Sequence, residues 1–288
     1  MKINEIVVIS GKGGTGKTTI TASLIPYIEN PVIADCDVDA PDLHILLNPR
    51  NEEEELFSGS VKAKIDENLC TQCNLCYERC RFGAIKTSPP RIDTAKCEGC
   101  ALCEYLCPSG AIRLDDAKTG TVYKGETEYG PMIHARLVPG EETSGKLVSK
   151  VRSEAKKRAK AEGKQNVIID GSPGIGCNVI SSITGASKVL IVTEPTLSGL
   201  HDMKRVLETA RRFSGKPFLI INKCDLSPDM SEKIEQEAAE QGVPLLMKLP
   251  FNEGVVRAIS EMRIPSLVEK ELFKAAGWDR VISDLTDT

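Results

Sequence analysis

A buried strand that empties into a glycine-rich turn and leaves it as a helix fits very few folds, and this chain opens that way. The apolar run Glu5-Ile6-Val7-Val8-Ile9 leads directly into Ser10-Gly11-Lys12-Gly13-Gly14-Thr15-Gly16-Lys17-Thr18-Thr19, and the pattern beyond predicts a helix from Thr18 to Glu29. Gly11 to Thr18 matches Gly-x-x-x-x-Gly-Lys-Thr, a phosphate-binding loop. Glycines at 11, 13, 14 and 16 let backbone N–H groups wrap an oxyanion, and the helix N-terminus adds partial positive charge. Lys17 then reaches the β- and γ-phosphates of a nucleotide, and the Thr18 hydroxyl holds Mg²⁺. Lys12 is not needed to cradle a phosphate within one subunit, so it is either solvated or serves another site.

The next apolar strand, from Pro31, ends in the alternating acids Asp35, Asp37 and Asp39. In an open parallel sheet, ligands lie beyond the carboxyl ends of the strands, so these acids face the nucleotide, where carboxylates hold Mg²⁺ or orient a water. Asn166-Val-Ile-Ile-Asp170 repeats the pattern, and Asp170 takes the place of a strand-end Mg²⁺ acid. The segment Gly171-Ser172-Pro173-Gly174 after it can move when a γ-phosphate arrives or leaves. Strands near 189–193, 217–222 and 243–249 then alternate with helices, which predicts a doubly wound, mainly parallel α/β sheet. A basic amphipathic helix up to about Ala161 reads as a solvated face, and His134 as a strand residue. The charged run Glu52 to Glu55 reads as an exposed junction.

Eight of the eleven cysteines fall between Cys70 and Cys107. Cys70-x2-Cys73-x2-Cys76-x3-Cys80 recurs as Cys97-x2-Cys100-x2-Cys103-x3-Cys107-Pro108, and Ala84-Ile85 recurs as Ala111-Ile112, all offset by 27 residues. This is an internal duplication with the spacing of a bacterial-type ferredoxin holding two 4Fe–4S clusters, in which the last cysteine of each run serves the other cluster. One cluster takes Cys70, Cys73, Cys76 and Cys107; the other takes Cys80, Cys97, Cys100 and Cys103. Zinc is the competing metal, but its knuckles rarely show this run twice in register. Arg81 stands where a proline is expected, which threatens the turn after Cys80 and puts a cation beside that cluster. Cys36 and Cys224 read as small buried residues.

The net charge of −4 gives no reason to expect nucleic acid or an anionic membrane as the main partner, and no apolar run is long enough to cross a bilayer. Met1-Lys2-Ile3-Asn4 leads into a core strand without a secretory leader, so a cytoplasmic location and reduced cysteines are expected.

Taken together, the loop with its extra Lys12, the Asp35-x-Asp37 strand end and the spacing Asp170, Pro173, Gly174 resemble the deviant phosphate loop and switch segments of the MinD/ParA/Mrp and nitrogenase iron-protein ATPases. The chain is similar to MinD-superfamily ATPases that carry an inserted ferredoxin domain. That implies a first ATPase part over 1–57, a small α+β two-cluster insert over 58–116, and a second ATPase part over 117–288. By this resemblance Lys12 reaches across a homodimer to the partner's nucleotide, and Lys17 binds phosphate. Asp37 orients the attacking water, and Thr18, Asp35 and Asp170 hold Mg²⁺. Asn222, Pro250 and Phe251 would contact adenine. However, Asn222-Lys223-Cys224-Asp225 also resembles a guanine reader, so GTP stays open. Cys177, seven residues after Asp170, sits where the nitrogenase iron protein ligates an intersubunit cluster, though no second ligand accompanies it.

The first functional expectation is an ATP-gated homodimer that couples nucleotide state to electron transfer through both clusters to a redox partner. The alternative is a MinD/ParA-like positioning or scaffold ATPase whose clusters sense redox state and whose partner is a cargo protein. Iron–sulfur cluster assembly ranks third, since no cysteine follows Cys224 to form a labile site. The near-neutral tail from Glu271 to Asp284, with Gly277 inside it, makes a poor membrane helix, so no stable membrane insertion is expected.

Overall fold

The computed structural model describes residues 3–141 and 144–287. Met1 and Lys2, on which part of the start-of-chain reading rests, lie outside them. The strands are β1 (Asn4–Ser10), β2 (Val32–Asp35), β3 (Arg50–Ile65), β4 (Ile85–Lys86), β5 (Arg91–Ile92), β6 (Ile112–Thr127), β7 (Gly130–Leu137), β8 (Asn166–Pro173), β9 (Lys188–Thr193), β10 (Lys216–Asn222) and β11 (Leu245–Leu249). The helices are α1 (Lys17–Leu24), α2 (Leu43–Leu47), α3 (Leu75–Arg79), α4 (Leu102–Leu106), α5 (Ser144–Ala161), α6 (Cys177–Ile183), α7 (Leu197–Phe213), α8 (Pro228–Glu240), α9 (Glu253–Ser260), α10 (Pro265–Val268), α11 (Lys270–Ala275) and α12 (Trp278–Thr286). The chain divides into two compact units. One holds Met1–Glu54, Val122–Arg136 and Ser144–Thr288; the other holds Glu55–Thr121 and Leu137–Thr143.

In the first unit the strand order is β11-β10-β9-β1-β8-β2-β7-β6. The pairs β1–β8, β1–β9, β10–β9, β10–β11, β2–β8 and β2–β7 are all parallel. A sheet covered on both faces needs apolar side chains pointing both ways, and Ile6, Val7, Val8 and Ile9 are all fully buried. β1 lies between β8 and β9, so its carboxyl end and the turn to α1 fall at the point where the order of connection reverses. The helix predicted to Glu29 stops at Leu24 and tightens into a single 3-10 turn over Ile25–Tyr27, because Pro26 has no N–H for a helical hydrogen bond. The C-terminal helices close over the sheet, with Trp278 only 2% exposed and Phe273 edge-on to it at 4.9 Å. The tail is a packed core element. Among the described residues no helix is long and apolar enough to cross a membrane.

The acidic run from Glu53 lies in the long strand β3, with Glu53 and Glu54 exposed and the division between the two units falling directly after Glu54, as an exposed junction would have it; the side chains of Asn51 and Glu52 lie outside the described residues. The basic helix α5 is not solvated throughout. Arg152 is 7% exposed, and its guanidinium donates to Glu5 Oε1 at 3.0 Å and to the carbonyls of Ser181 and Thr184 at 2.8 and 2.9 Å. Lys156 pairs with the other Glu5 oxygen at 2.6 Å. Long-range pairing with Glu5 overrode local charge on this helix. His134 is a buried β7 residue stacked between His44 and Tyr123, with ring centroids 4.8 and 4.9 Å away.

The second unit is built on the pairing of β3 with β6, the short hairpin β4–β5, and the helices α3 and α4. Its backbone carries the duplication residue by residue. Asn74 and its counterpart Ala101, 27 residues on, precede the two helices with φ of 60° and 65°, and Cys80 and Cys107 end them with φ of −73° and −71°. Hydrogen bonds recur in the same register: Asp66 N–H donates to Ala111 O at 2.7 Å, and Asp93 N–H to Ala84 O at 2.6 Å. Arg81 therefore leaves the turn after Cys80 unchanged, contrary to the concern its position raised.

The buried Glu5 pair yields a stability prediction. Arg152→Ala strands most of a buried carboxylate's compensation and is expected to cost about 3 kcal/mol in urea unfolding, whereas Glu5→Gln combined with Arg152→Met is expected to recover the larger part. Equal losses from the single and the double variant would contradict the pairing as its cause.

Candidate functional site

Ser10 ends β1, and the turn after it wraps a cavity of about 480 Å³ lined by Gly13, Gly14, Lys17, Thr18, Asp37 and Asp39 among others. α1 has no side-chain cap at its N-terminus, so its first N–H groups remain open toward this cavity, as an anion site requires. Gly16 has φ of 94°, and a Cβ there would stand 2.2 Å from Asn222 Nδ2. That amide donates to Thr15 O at 2.8 Å, so Asn222 from the end of β10 braces the loop from behind. Thr15 is buried, while Thr19 faces the cavity.

Of the acids expected to face a nucleotide, Asp37 and Asp39 line this cavity, while Asp35 and Asp170 do not. The β2–β8 register sets Asp35 directly beside Asp170, both fully buried. Asp170 Oδ2 accepts from Thr18 Oγ1 at 2.7 Å and lies 2.9 Å from Lys17 Nζ; its Oδ1 accepts from Thr21 Oγ1 at 2.7 Å. Asp37 Oδ2 lies 3.3 Å from the same Lys17. Asp35 is held by its own neighbourhood, its carboxylate accepting the N–H groups of Asp37 at 3.0 Å and Leu43 at 3.2 Å. Burial drives the Asp35 pKa well above the ordinary carboxylate range, helped by Asp170 and opposed by Lys17. Burial likewise raises Asp37, against the pull of Lys17. Burial would lower Lys17, yet the charges of Asp170, Asp37 and Asp35 prevail and raise it. Lys17 is thus a firmly protonated cation neutralising an acid cluster.

Pro250 and Phe251 follow β11, with Phe251 exposed, and Phe251 N–H donates to Asp225 Oδ1 at 2.6 Å. Lys12 does not enter the loop's own cavity: its ammonium pairs with Glu194 Oε1 at 2.6 Å. Sequence reasoning missed Glu194 and Thr21, and it placed Lys223 in a base-reading motif without its contact to the loop, where its ammonium donates to Gly14 O at 3.0 Å. Glu194 and Lys223 each immediately follow a parallel strand, the position where sheet ligands gather, and that rule could have found them. Cys177 opens α6 and is exposed, Cys36 is fully buried, and Cys224 is half-buried.

In the second unit the eight cysteines border two cavities. One is lined by Cys70, Cys73, Cys76 and Cys107. The other, about 310 Å³, is lined by Cys80, Cys97, Cys100 and Cys103, with Cys76 and Arg81 also on its wall. The sulfurs are offered hydrogen bonds: Ala63 N–H donates to Cys97 Sγ at 3.4 Å and Ala111 N–H to Cys107 Sγ at 3.3 Å. Burial would raise the Cys107 thiol, but bonds from Ser109 and from the backbone at 109, 111 and 112 lower it. Among the described residues no group of three or more cysteine, histidine, aspartate or glutamate side chains converges to hold a single metal ion. A 4Fe–4S cluster poses a different demand, one thiolate per iron around a cage; the cavity at Cys70, Cys73, Cys76 and Cys107 is narrow, about 20 Å³.

The family model of the CobQ/CobB/MinD/ParA nucleotide-binding domain matches residues 6–265. Two uncharacterised proteins of Methanocaldococcus jannaschii are similar in sequence. One is 36% identical over 226 residues, covering 77% of this chain and 78% of that protein. The other is 30% identical over 251 residues, covering 77% and 81%. Among solved structures, the cell division ATPase MinD of Pyrococcus furiosus superimposes with a TM-score of 0.57 at 18% identity, covering 98% of both chains. The septum site-determining protein MinD of Pyrococcus horikoshii, complexed with Mg-ADP, gives 0.56 at 18% identity, covering 98% and 96%. At such identities these two likenesses establish the fold.

The raised Asp35 pKa sets a pH dependence whose sign follows from linkage. The folded chain holds that proton more tightly than the unfolded chain, whose carboxyl titrates near 3.8, so Asp35 costs stability progressively as pH rises above that value. The melting temperature of Asp35→Asn minus that of the wild type, both nucleotide-free, is expected to grow as pH rises through this window. A difference that stays flat in thermal melts across pH would show that Asp35 titrates normally.

Proposed function

We propose that this chain, which belongs to the CobQ/CobB/MinD/ParA nucleotide-binding family, is a Mg²⁺-dependent ATPase that works as a switch of the MinD/ParA kind. ATP closes two copies face to face, and hydrolysis releases the pair together with whatever protein docks on it. The observation that carries this reading is the cluster of Lys17, Asp37, Asp170 and Thr18 under a loop whose second lysine, Lys12, points away from its own phosphate cavity. In the nucleotide-free chain Lys17 balances the carboxylates. When a triphosphate draws Lys17 to its β- and γ-oxygens, the carboxylates need a replacement cation. Thr18 and Asp170, with Asp35 beside them, are the residues that would hold Mg²⁺ there, and bound Mg²⁺ would neutralise charge on the phosphates. Asp37, released from Lys17, is placed to orient the attacking water, and Lys12 serves the nucleotide of the second copy.

Adenine is the base this reading takes by family resemblance; Phe251 N–H binds one oxygen of the Asp225 carboxylate and the Asn222 amide binds Thr15 O, so both residues of the guanine-reader pattern already have partners inside the protein. The loop carrying Pro250 and Phe251 is therefore tied in place to contact a base by shape. The MinD likeness in fold favours a positioning or scaffold role, with a cargo protein as partner, and one solved relative is a MinC:MinD complex from Aquifex aeolicus.

A second reading is favoured by the two cysteine cavities. Cys70, Cys73, Cys76 and Cys107, and separately Cys80, Cys97, Cys100 and Cys103, would each hold a 4Fe–4S cluster in a ferredoxin-like insert, which supplies a one-electron carrier when bound. The protein would then tie nucleotide state to electron transfer with a redox partner. Here the chain's own contribution is the N–H donors at Cys97 and Cys107, which favour the thiolate and shift a cluster's potential upward. Cluster assembly remains the weaker third use, because these cavities suit retention.

Asp37→Ala is expected to bind ATP and dimerise while hydrolysing it about a hundredfold more slowly. Sedimentation with Mg-ATP and phosphate release together check this, and a variant that still hydrolyses at the wild-type rate would remove Asp37 from the reaction. Anaerobically purified protein is expected to contain roughly eight irons per chain, by metal analysis and electron paramagnetic resonance. Stoichiometric zinc in their place would end the electron-transfer reading. If the clusters are present but electron delivery to an acceptor is indifferent to Mg-ATP, the scaffold reading stands.

A further inference from the structure

The Lys12 ammonium has three N–H donors, and all three have acceptors within its own chain. It lies 2.6 Å from Glu194 Oε1, 3.0 Å from Ser198 Oγ and 3.5 Å from Thr196 Oγ1. The acceptors are not on a loose loop. Thr196 caps α7 by accepting from Gly199 N–H at 2.9 Å, and Ser198 sits in the first turn of that helix. Gly11, next to Lys12, packs so closely on the same helix that a Cβ there would stand 2.3 Å from Asp202 Cβ. Glu194 has a second attachment. Its Oε2 lies 3.4 Å from Lys223 Nζ, which in turn donates to Gly14 O at 3.0 Å. One carboxylate thus spans the phosphate loop, with Lys12 on one flank and Lys223 on the other. Burial would raise the Glu194 pKa, but the hydrogen bond from Lys12 and the charges of both lysines lower it, so the tether is charged at neutral pH.

We infer that Glu194 is a positioning residue that holds Lys12 within its own subunit and must surrender it before Lys12 can serve the nucleotide of a second copy. This rests on the dimer proposed above. A lysine bonded to Glu194, Thr196 and Ser198 cannot at the same time bind a phosphate across an interface. The tether therefore opposes assembly by the free energy of a partly exposed ion pair in each subunit. A triphosphate competes for Lys12 with more negative charge than a diphosphate does, so the tether widens the difference between the two nucleotides. Lys223 makes the release cheap on the other side, because Glu194 keeps one cation after Lys12 leaves.

The test uses full-length Glu194→Gln, which keeps shape and an acceptor but removes the charge, with Glu194→Ala as a second variant. In the nucleotide-free protein, amine acetylation read by mass spectrometry is expected to label Lys12 about fivefold faster in both variants. Lys248, paired with Glu235 at 2.7 Å, serves as the unchanged reference. In sedimentation with Mg²⁺ and a slowly hydrolysed ATP analogue, the dimer is expected to form at a roughly two- to fivefold lower protein concentration, about one ion pair's worth, and the ADP form is expected to dimerise more readily than in wild type. Unchanged Lys12 labelling in Glu194→Gln overturns the tether, and so does a weaker dimer. Faster labelling with no nucleotide-dependent dimer even in the wild type would sustain the tether and defeat the dimer reading.

Discussion

Asp35 and Asp170 lie side by side on adjacent buried strands, and Lys17 is the cation that makes this tolerable. Two buried carboxylates repel each other and lose their water, a cost that only a close counter-charge and donated hydrogen bonds offset. Thr18, Thr21 and the backbone of Asp37 and Leu43 supply those bonds. The sheet order brings β1, β2 and β8 together, and the loop lysine is also a structural neutraliser of the acids. That dual duty ties nucleotide binding to the acids: whatever draws Lys17 toward phosphate leaves a charge deficit that has to be filled.

The loop itself is clasped from several directions by segments that arrive late in the chain. Asn222 supports its back, Lys223 holds Gly14, and the start of α7 lies against Gly11 and binds Lys12. Glycine at 16 is needed both for its left-handed backbone and because Asn222 occupies the space a side chain would take. A motif that looks self-sufficient on paper is held in shape by residues about two hundred positions away.

That distance explains what could be read in advance. Gly11 to Thr18, Asp170 after its apolar run and the 27-residue repeat each depend on local spacing, so they were legible, although β8 runs on past Asp170 to Pro173. The burial of Arg152 was not, because α5 carries its charges in a pattern that only the Glu5 side chain of β1 reinterprets. The glutamate run was legible as an exposed junction but not as part of a strand, which only its pairing with β6 shows. Glu194 carried no motif at all, and its importance comes from the juxtaposition of β9 with β1.

The paired cavities of the second unit make its two half-repeats interdependent. Each is walled by cysteines from one half of the repeat and completed by the last cysteine of the other half. A solitary half would enclose nothing, having a fourth cysteine that points elsewhere and a gap where its own should be. Two identical halves set against each other would close both cavities at once, and every paired hydrogen bond would still be made. The two half-repeats thus complete each other's cavities, with Arg81 and Pro108 at equivalent positions where the halves differ.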